Sequence, residues 1–284
     1  MHEDASARLR LRSFYARPIS TLRSDLRRRK ANSLTTADSS NMEGLMKAVI
    51  QCGGKGTRLR PHTSILPKPL MPIGARPVLE LVLKWLRRNG IREVYVTTGY
   101  LGHLIRSVCG DGNQWNMHIN YTQEMEPLGT IGPLSLLRDH LDEPFLVLNG
   151  DVLTDLNLNQ FVSCHRRSNS PLTIATSIRP TKMDFGVIDE VDGRVSDFRE
   201  KPELTHLVSM GIYCMDPSIV ERIPSGVPFG FDDLMFQMLN DNAPVNVFKH
   251  SGLWLDIGRV EDFLKAQDVA WDEQSPALAS FAAA

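Results

Sequence analysis

The sequence lacks several features that would assign a protein to a particular class. No apolar run approaches the ~20 residues needed to cross a bilayer, so we expect no membrane-spanning segment and no membrane partner. The four cysteines are scattered and include no Cys-x-x-Cys pair, which argues against a disulfide framework or a zinc site and fits a reducing cytoplasm. The formal net charge of −1 gives no global attraction to nucleic acid.

Several catalytic motifs are also missing. No convincing Ser-His-Asp or Cys-His arrangement indicates a nucleophile. The P-loop string Gly-x4-Gly-Lys-Ser/Thr is absent, and the dinucleotide fingerprint fails because Leu59 stands where its third glycine is required. An Asp-x-Asp triplet, typical of metal-dependent glycosyltransferases, does not follow the apolar run at residues 145–148. These absences argue against several enzyme classes and leave phosphate chemistry without a protein nucleophile open.

The composition is that of a globular protein, with 42% apolar and 23% charged residues in 284 positions. From Met46 onward, apolar strands such as residues 93–98 and 145–148 alternate with helical stripes such as residues 77–89 and 131–138. This alternation predicts an α/β fold with a mostly parallel sheet. Further strands are predicted at residues 172–178 and 208–215, and a hairpin turn at Asp192-Gly193.

The first 45 residues differ from the remainder, with nine Arg or Lys against five Asp or Glu and poor hydrophobic periodicity. We predict a basic, disordered extension. An organelle-targeting peptide is one alternative, although such peptides carry fewer acids, and a natural start at Met42 or Met46 is another. Residues 46–271 are predicted to form the functional domain, and residues 272–284 a frayed tail.

The stretch around residues 46–73 carries the most specific signal. A buried strand runs into the turn Gly53-Gly54-Lys55-Gly56-Thr57-Arg58, and a proline-rich loop with Lys68 follows. Glycines let backbone N–H groups approach an anion closely, and cations at fixed offsets neutralise phosphate oxygens. The prolines argue for an extended loop after the turn. This pattern predicts a polyphosphate cradle at the carboxyl end of a strand.

The same stretch resembles the signature of the sugar-1-phosphate nucleotidyltransferases, also called nucleotide-sugar pyrophosphorylases. Their usual string is Leu-Ala-Gly-Gly-x-Gly-Thr-Arg-Leu followed by Pro-Lys, and this chain departs from it at Gln51 and Cys52. The resemblance covers Met46 to about Ala270. It implies a Rossmann-like three-layer sandwich around a mostly parallel mixed sheet, of the nucleotide-diphospho-sugar transferase type.

The resemblance implies an activity: an NTP and a sugar 1-phosphate form an NDP-sugar and pyrophosphate. It assigns catalytic roles to Arg58, Lys68 and Asp151, and it makes Asp151 and Asp256 the ligands of Mg2+, a cation that prefers carboxylates plus substrate phosphates. Taken alone, either aspartate could be a turn or capping residue. The implied nucleotide-binding residues are Gly53, Gly54, Gly56, Thr57, Arg58, Glu124, Pro127 and Gly129.

The sugar phosphate is expected at four further positions. Glu200-Lys201-Pro202 matches the family's Glu-Lys-Pro, in which Lys201 would hold the phosphate and Glu200 the sugar hydroxyls; a solvated charge pair is the alternative. Gly186 would lie beside the sugar. Ser209 stands where the family has Asn, which leaves the sugar undecided among mannose, a manno-heptose and glucose.

The segment from Glu124 to Thr130 resembles the guanylyltransferase branch. Guanine presents N1–H and N2–H2 side by side to a carboxylate, whereas thymine and uracil flank one N–H with carbonyls that a carboxylate would repel. Glu124 therefore favours GTP, unless Glu124 faces solvent and backbone atoms read the base. The resemblance implies mannose 1-phosphate, or a related manno-configured sugar phosphate, as the second substrate. The alternatives are a thymidylyl- or uridylyltransferase of glucose 1-phosphate and a non-catalytic regulatory subunit.

The chain stops soon after the predicted domain, so we expect no left-handed β-helix of the kind that longer relatives carry. The sequence does not exclude homo-oligomers that assemble through the α/β domain.

Overall fold

A computed structural model describes residues 46–271 of the chain. The predictions for residues 1–45 and 272–284 therefore lie outside the described residues. The strands, numbered β1 to β13 in chain order, are Ala48–Cys52, Pro72–Ile73, Arg76–Pro77, Glu93–Thr98, His118–Gln123, Phe145–Asn149, Val152–Thr154, Leu172–Lys182, Val187–Val191, Arg194–Arg199, Glu203–Met215, Val245–His250 and Trp254–Asp256.

The described residues also form α-helices and short 3-10 helices. The α-helices α1 to α6 are Val78–Arg88, Gly102–Cys109, Leu158–Arg167, Pro217–Glu221, Phe231–Asn240 and Val260–Trp271. Short 3-10 helices occupy Thr57–Leu59, His62–Ser64, Lys68–Leu70, Asn113–Trp115 and Gly132–His140. Among the described residues, no helix combines the length and the apolar character that crossing a membrane requires.

Seven strands form the central sheet, in the order β12-β8-β11-β6-β1-β4-β5. β1 pairs in parallel with both β4 and β6, and β4 pairs in parallel with β5. β11 is antiparallel to its neighbours β6 and β8, while β12 is a parallel edge strand on β8. The prediction of a mostly parallel mixed sheet is confirmed.

Both faces of the sheet are covered, and alternate residues of β1 show it. Ala48 and Ile50 belong to one hydrophobic cluster, which the side chains of α1 (such as Leu79) and α3 (such as Phe161) complete. Val49 points the other way, into a second cluster to which the Gly132–His140 helix, α4 and α5 contribute. Strands buried on both faces read as continuous apolar runs, which explains the pattern at residues 145–148. The result is a three-layer sandwich.

Two long strands leave the sheet together. β8 pairs with β12 only as far as Ser177, but its pairing with β11 continues to Lys182 opposite Glu203. This two-stranded arm leads into the β9–β10 hairpin, which turns at Asp192-Gly193 as expected. The predicted strands at residues 172–178 and 208–215 were therefore too short, because the arm is solvent-exposed and lacks the apolar pattern used to find it.

Three local features also differ from the sequence-based expectation. The helix expected at residues 131–138 is a 3-10 helix, Gly132–His140. The loop after the glycine turn is not extended throughout, because three 3-10 turns interrupt it. Finally, β7 and β13 form an antiparallel pair that pattern analysis did not predict.

Candidate functional site

A cleft of about 860 Å³ opens at the carboxyl ends of the parallel strands. Its walls come from the ends of β1, β4, β5 and β6 and from the turns that follow them. This is the position where open α/β sheets bind ligands. Eight of the residues predicted for nucleotide binding or catalysis line this cleft: Gly53, Gly54, Arg58, Lys68, Glu124, Pro127, Gly129 and Asp151.

The glycine-rich turn is held in place by its own loop. Gly56 adopts the left-handed conformation with φ of 59°, and its carbonyl oxygen accepts a 2.8 Å hydrogen bond from the hydroxyl of the buried Thr63. A Cβ at Gly56 would lie 3.1 Å from the Cβ of Lys68. The turn and the lysine loop thus pack directly against each other. Gly56 and Thr57 themselves support the turn without lining the cleft.

Arg58 and Lys68 are placed differently in the cleft. Arg58 lies on the first 3-10 helix, is exposed, and forms no salt bridge with any other described residue. Lys68 begins the third 3-10 helix, between buried prolines, and its Nζ forms an ion pair with the carboxylate of Asp151. Arg58 is therefore available to a bound anion, whereas Lys68 lies at the boundary between the cleft and an acidic pair.

The acidic pair consists of Asp151 and Asp256, which are far apart in the chain. β7 follows Asp151 directly and pairs with β13, so that Asp256 lies opposite Val152. The N–H of Ile257 donates a 3.0 Å hydrogen bond to the carbonyl oxygen of Asp151. This strand pair brings the two predicted metal ligands to one place.

Gly258 shows how closely the charged groups converge. A Cβ built on Gly258 would lie 2.8 Å from Lys68 Nζ, 2.9 Å from Asp256 Oδ1 and 3.3 Å from Asp151 Oδ2. The N–H of Gly258 also donates a 2.9 Å hydrogen bond to Asp256 Oδ1. One ammonium and two carboxyl groups therefore lie so close to the Cα of Gly258 that any other side chain would contact all three.

Asp151 is the most deeply buried of these groups, with 4% of its surface exposed. The Lys68 ammonium contacts its Oδ2 as an ion pair, and no other donor among the described residues reaches that oxygen. Burial raises the pKa of the Asp151 carboxyl above its usual value; Lys68 acts in the opposite direction, and Asp256 adds to the rise. One ammonium therefore faces two carboxyl groups at this site.

The far end of the cleft contains Glu124. This half-buried side chain packs against the Cα of Gly53, and its Oε2 accepts a 2.9 Å hydrogen bond from the N–H of Leu128. Gly129 (φ 82°) follows, with its Cα against the backbone of Phe229. Burial raises the pKa of the Glu124 carboxyl, while the Leu128 hydrogen bond lowers it. The carboxylate is therefore fixed at the edge of the cleft.

The four residues predicted to bind the sugar phosphate lie elsewhere. Gly186, Glu200 and Lys201 are on the exposed hairpin, where Glu200 Oε2 lies 3.1 Å from a Cβ built on Gly186. Lys201 has a positive φ of 43°. Ser209 is on β11 and donates a 3.2 Å hydrogen bond to the hydroxyl of Tyr213. Within residues 46–271, none of the four lines the cleft.

Sequence reasoning did not select several residues of the site. Gln51, Tyr100 and Asn149 line the cleft, and Gln51 was noted only as a departure from the family string. Asp262 of α6 is almost fully buried and accepts the N–H of Asp256 at 3.1 Å. Burial alone would raise the pKa of Asp262, but hydrogen bonds, chiefly from Arg179, hold that pKa below its usual value. No local motif signals a pair that is 83 positions apart.

Comparison with known proteins adds independent information. Residues 47–273 match the family model described as nucleotidyl transferase. A UTP–glucose-1-phosphate uridylyltransferase of Synechocystis is 34% identical over 78% of this chain and 62% of its own length. The mannose-1-phosphate guanylyltransferase catalytic subunit beta of Danio rerio is 33% identical over 77% of this chain and 63% of its own length. The chain therefore spans about 62–63% of the length of these relatives.

Solved structures show the same architecture. The crystal structure of HddC from Yersinia pseudotuberculosis superposes with a TM-score of 0.64 and 27% identity, covering 79% of this chain and 99% of the other. A second HddC structure, complexed with GMP-PN, has a TM-score of 0.63 and 26% identity over the same shares. The three-layer fold expected from the sequence is that of these neighbours.

Proposed function

The chain belongs to the nucleotidyl transferase family, and from this premise we propose that it forms an NDP-sugar and pyrophosphate from an NTP and a sugar 1-phosphate. The observation that carries this proposal is the convergence of Lys68, Asp151 and Asp256 beside a glycine-rich turn on one cleft. Such a site neutralises phosphates and aligns them, and it needs no protein nucleophile.

The reaction joins two anions in one displacement. A phosphate oxygen of the sugar 1-phosphate forms a bond to the α-phosphorus of the NTP, and the bond from that phosphorus to the bridging oxygen breaks. Pyrophosphate leaves with the bonding electrons, in line with the attack. Because both reactants are negatively charged, the barrier is lowered chiefly by placing and neutralising them.

The residues of the glycine-rich turn and the lysine loop have roles in this scheme. The backbone N–H groups of Gly53 and Gly54 would approach the NTP phosphates, supported by Gly56 and Thr57. Arg58, which has no ionic partner in the described part of the chain, would neutralise the β- and γ-phosphates and the departing pyrophosphate. Lys68 would contact the attacking and the α-phosphates, because its ammonium lies between the cleft and the aspartates.

We further propose that Asp151 and Asp256 hold Mg2+. The residues fit a hard cation, since the two carboxylates approach one position at Gly258 and Lys68 supplies a single positive charge to them. No cluster of three or more His, Cys, Asp or Glu occurs among the described residues, so phosphate and water oxygens would complete the shell, as Mg2+ prefers. When bound, Mg2+ supplies charge neutralisation at the reacting phosphates.

For the nucleotide we favour GTP. Glu124 lines the cleft with one oxygen fixed by Leu128, which leaves acceptor capacity for the adjacent N1–H and N2–H2 groups of guanine. Pro127 and Gly129 would border the base. The Danio rerio relative is named a guanylyltransferase, and the HddC neighbour is complexed with GMP-PN. These names support the choice, although the Synechocystis relative is named a uridylyltransferase.

For the sugar phosphate we favour mannose 1-phosphate or a related manno-configured sugar phosphate. Gly186, Glu200 and Lys201 would contact it from the exposed hairpin, and Ser209 from β11. Gly211, whose N–H donates to the Ser209 hydroxyl, packs against the side chain of Asn149, a residue that lines the cleft. Glucose 1-phosphate with UTP is the second candidate, favoured by the Synechocystis relative. The cysteines are all free, which agrees with activity in a reducing cytoplasm.

The proposal is tested by pyrophosphate release from the purified full chain with Mg2+. GTP, dTTP, UTP, CTP and ATP are each offered with mannose 1-phosphate, a manno-heptose 1-phosphate and glucose 1-phosphate. Asp151→Asn serves as the inactive control, because it keeps the shape of the side chain and removes its charge.

Three outcomes separate the alternatives. Release with GTP and a manno-configured phosphate supports the full proposal. Release only with UTP or dTTP and glucose 1-phosphate retains the reaction and refutes the base-reading role of Glu124. Silence in every combination, together with binding of NDP-sugar in calorimetry, would favour the non-catalytic regulatory subunit.

A further inference from the structure

A partly buried ion pair lies directly behind Asp256. The guanidinium of Arg179, on the β8 part of the arm, donates to both carboxylate oxygens of Asp262 at 3.1 and 2.6 Å. Asp262 is 1% exposed and lies on α6. Its Oδ2 also accepts the N–H of Asp256 at 3.1 Å. Arg179 therefore acts on the backbone of a proposed metal ligand through a single carboxylate.

Arg179 also contacts the strand that carries Asp256. Its Cζ lies 4.2 Å from the centre of the Trp254 ring, and its Nη2 donates a 3.4 Å hydrogen bond to the carbonyl of Trp254. The Trp254 indole in turn donates a 3.1 Å hydrogen bond to the carbonyl of Met210, the residue after Ser209. One arginine thus connects the arm, the Ser209 segment of β11 and the β13 strand.

We propose that Arg179, together with Asp262, is a positioning residue that fixes Asp256 and couples it to the Ser209 segment, an inference that rests on the proposed function. Arg179 lies two residues beyond the last β8–β12 pair, at the root of the arm that carries the hairpin. Movement of the arm would therefore reach Asp256 through Asp262 and Trp254.

Two physical arguments favour positioning over simple stabilisation. Such an ion pair gains little net stability over apolar side chains of similar volume, because desolvation offsets most of the attraction. A bidentate arginine–carboxylate pair does fix geometry, and a ring stacked on the guanidinium adds a further constraint. Partners behind a metal ligand typically affect metal affinity or activity by about 10- to 100-fold. Arg179 and Asp262 have the geometry of such partners.

The test compares Arg179→Lys and Arg179→Met with the control Arg222→Met. Arg222 follows α4 and forms an ion pair of the same length, 2.6 Å, with Asp241 at the end of α5; neither side chain forms a hydrogen bond or salt bridge with the described residues of the arm or β13. Lysine keeps the charge but cannot form the two-pronged contact or the same stack. Asp262→Asn keeps an acceptor for the Asp256 N–H and removes the charge that holds Arg179.

Two readouts are measured on each folded variant. Mn2+ replaces Mg2+, and water-proton relaxation reports its binding to the protein with the NTP that wild type uses, without sugar phosphate. Turnover is measured separately as kcat and as KM for the sugar phosphate. We expect both Arg179 variants to weaken Mn2+ binding by about 10- to 100-fold and to raise KM, with Arg222→Met unchanged.

The outcomes distinguish this inference from the proposed function. If wild type is active and binds Mn2+ but the Arg179 variants bind it equally well, the positioning role is refuted and the function stands. A lower melting temperature with unchanged Mn2+ affinity and KM would also refute it, since that pattern is purely structural. If wild type itself neither turns over nor binds Mn2+, the proposed function fails first. Near-wild-type Mn2+ binding by the Asp262→Asn variant would show that Arg179 acts through contacts other than Asp262. That result would overturn the proposed coupling through Asp262.

Discussion

Replacing Gly258 by alanine places one methyl group inside the charged cluster and changes little else. The new Cβ would lie 2.8 Å from Lys68 Nζ and 2.9 Å from Asp256 Oδ1. Ordinary van der Waals contact begins at 3.4 Å, so the ammonium must retreat by about 0.6 Å. Both contacted groups are ends of side chains, which can move without disturbing the backbone. The cluster is therefore distorted while the fold is kept.

The size of the effect follows from that displacement. A misplacement of ~1 Å at a reacting group costs roughly 100-fold in rate. We therefore expect kcat of Gly258→Ala to fall by about 10- to 100-fold, equivalent to ~1.4–2.7 kcal/mol in the barrier. Gly258 does not have a positive φ, so alanine adds no backbone strain. The ~0.4–1 kcal/mol gained by restricting the unfolded chain offsets much of the cost of moving the contacted side-chain ends.

The assay is pyrophosphate release paired with thermal melting, and Gly226→Ala is the matched control. Gly226 has a φ of 74° and open space at its Cβ position. Alanine there should cost about 1–3 kcal/mol through backbone strain and leave kcat unchanged. We therefore expect Gly258→Ala to lose turnover with little loss of stability, and Gly226→Ala to lose stability with unchanged turnover. Wild-type kcat in a folded Gly258→Ala protein would mean that this cluster is not the reaction centre.

Three further predictions use the same assays. Arg58→Ala should lower kcat by about 10²–10³-fold with unchanged melting, because the side chain is exposed; normal turnover would remove its role. Burial raises the pKa of Glu124, so its carboxylate should become protonated at a pH above the usual glutamate range. As it does, the ratio of kcat/KM for GTP between wild type and Glu124→Gln should fall. A ratio that stays constant from pH 5 to 8 would contradict this. Phe161→Ala removes a fully buried ring packed 5.5 Å from Phe248 and should cost about 3–5 kcal/mol in urea unfolding; a loss under ~1 kcal/mol would contradict the packing.

The sequence predicted the elements whose side chains are buried on both faces. The β4 strand and the α1 helix were located to within one residue, because apolar side chains repeat there with clear periods. The glycine turn was found from composition, since few other sequences place glycines and cations at those offsets. Arg58 and Lys68 on the cleft belong to the same pattern, whereas Asp151 was selected through the family resemblance.

The features that the sequence did not predict depend on contacts between distant residues. β7 and β13 contain three residues each, too few for any period to be detected. The arm of β8 and β11 is held by backbone hydrogen bonds with little burial, so polar residues such as Thr181 and Lys182 continue it. The pair Arg179 and Asp262 carries no local signal, because either residue alone reads as an ordinary surface charge.

The pairing of β7 with β13 has a consequence for synthesis of the chain. Asp256 lies 105 positions after Asp151 in the chain. Every residue that lines the cleft is already present once Asp151 has been made, but the second carboxylate arrives only with β13. Closing so long a segment is slow compared with local folding. A nascent chain therefore contains every residue of the cleft lining well before β13 supplies the second carboxylate, but the turn at Leu128 and Gly129 lacks its packing partner until Phe229 has been made.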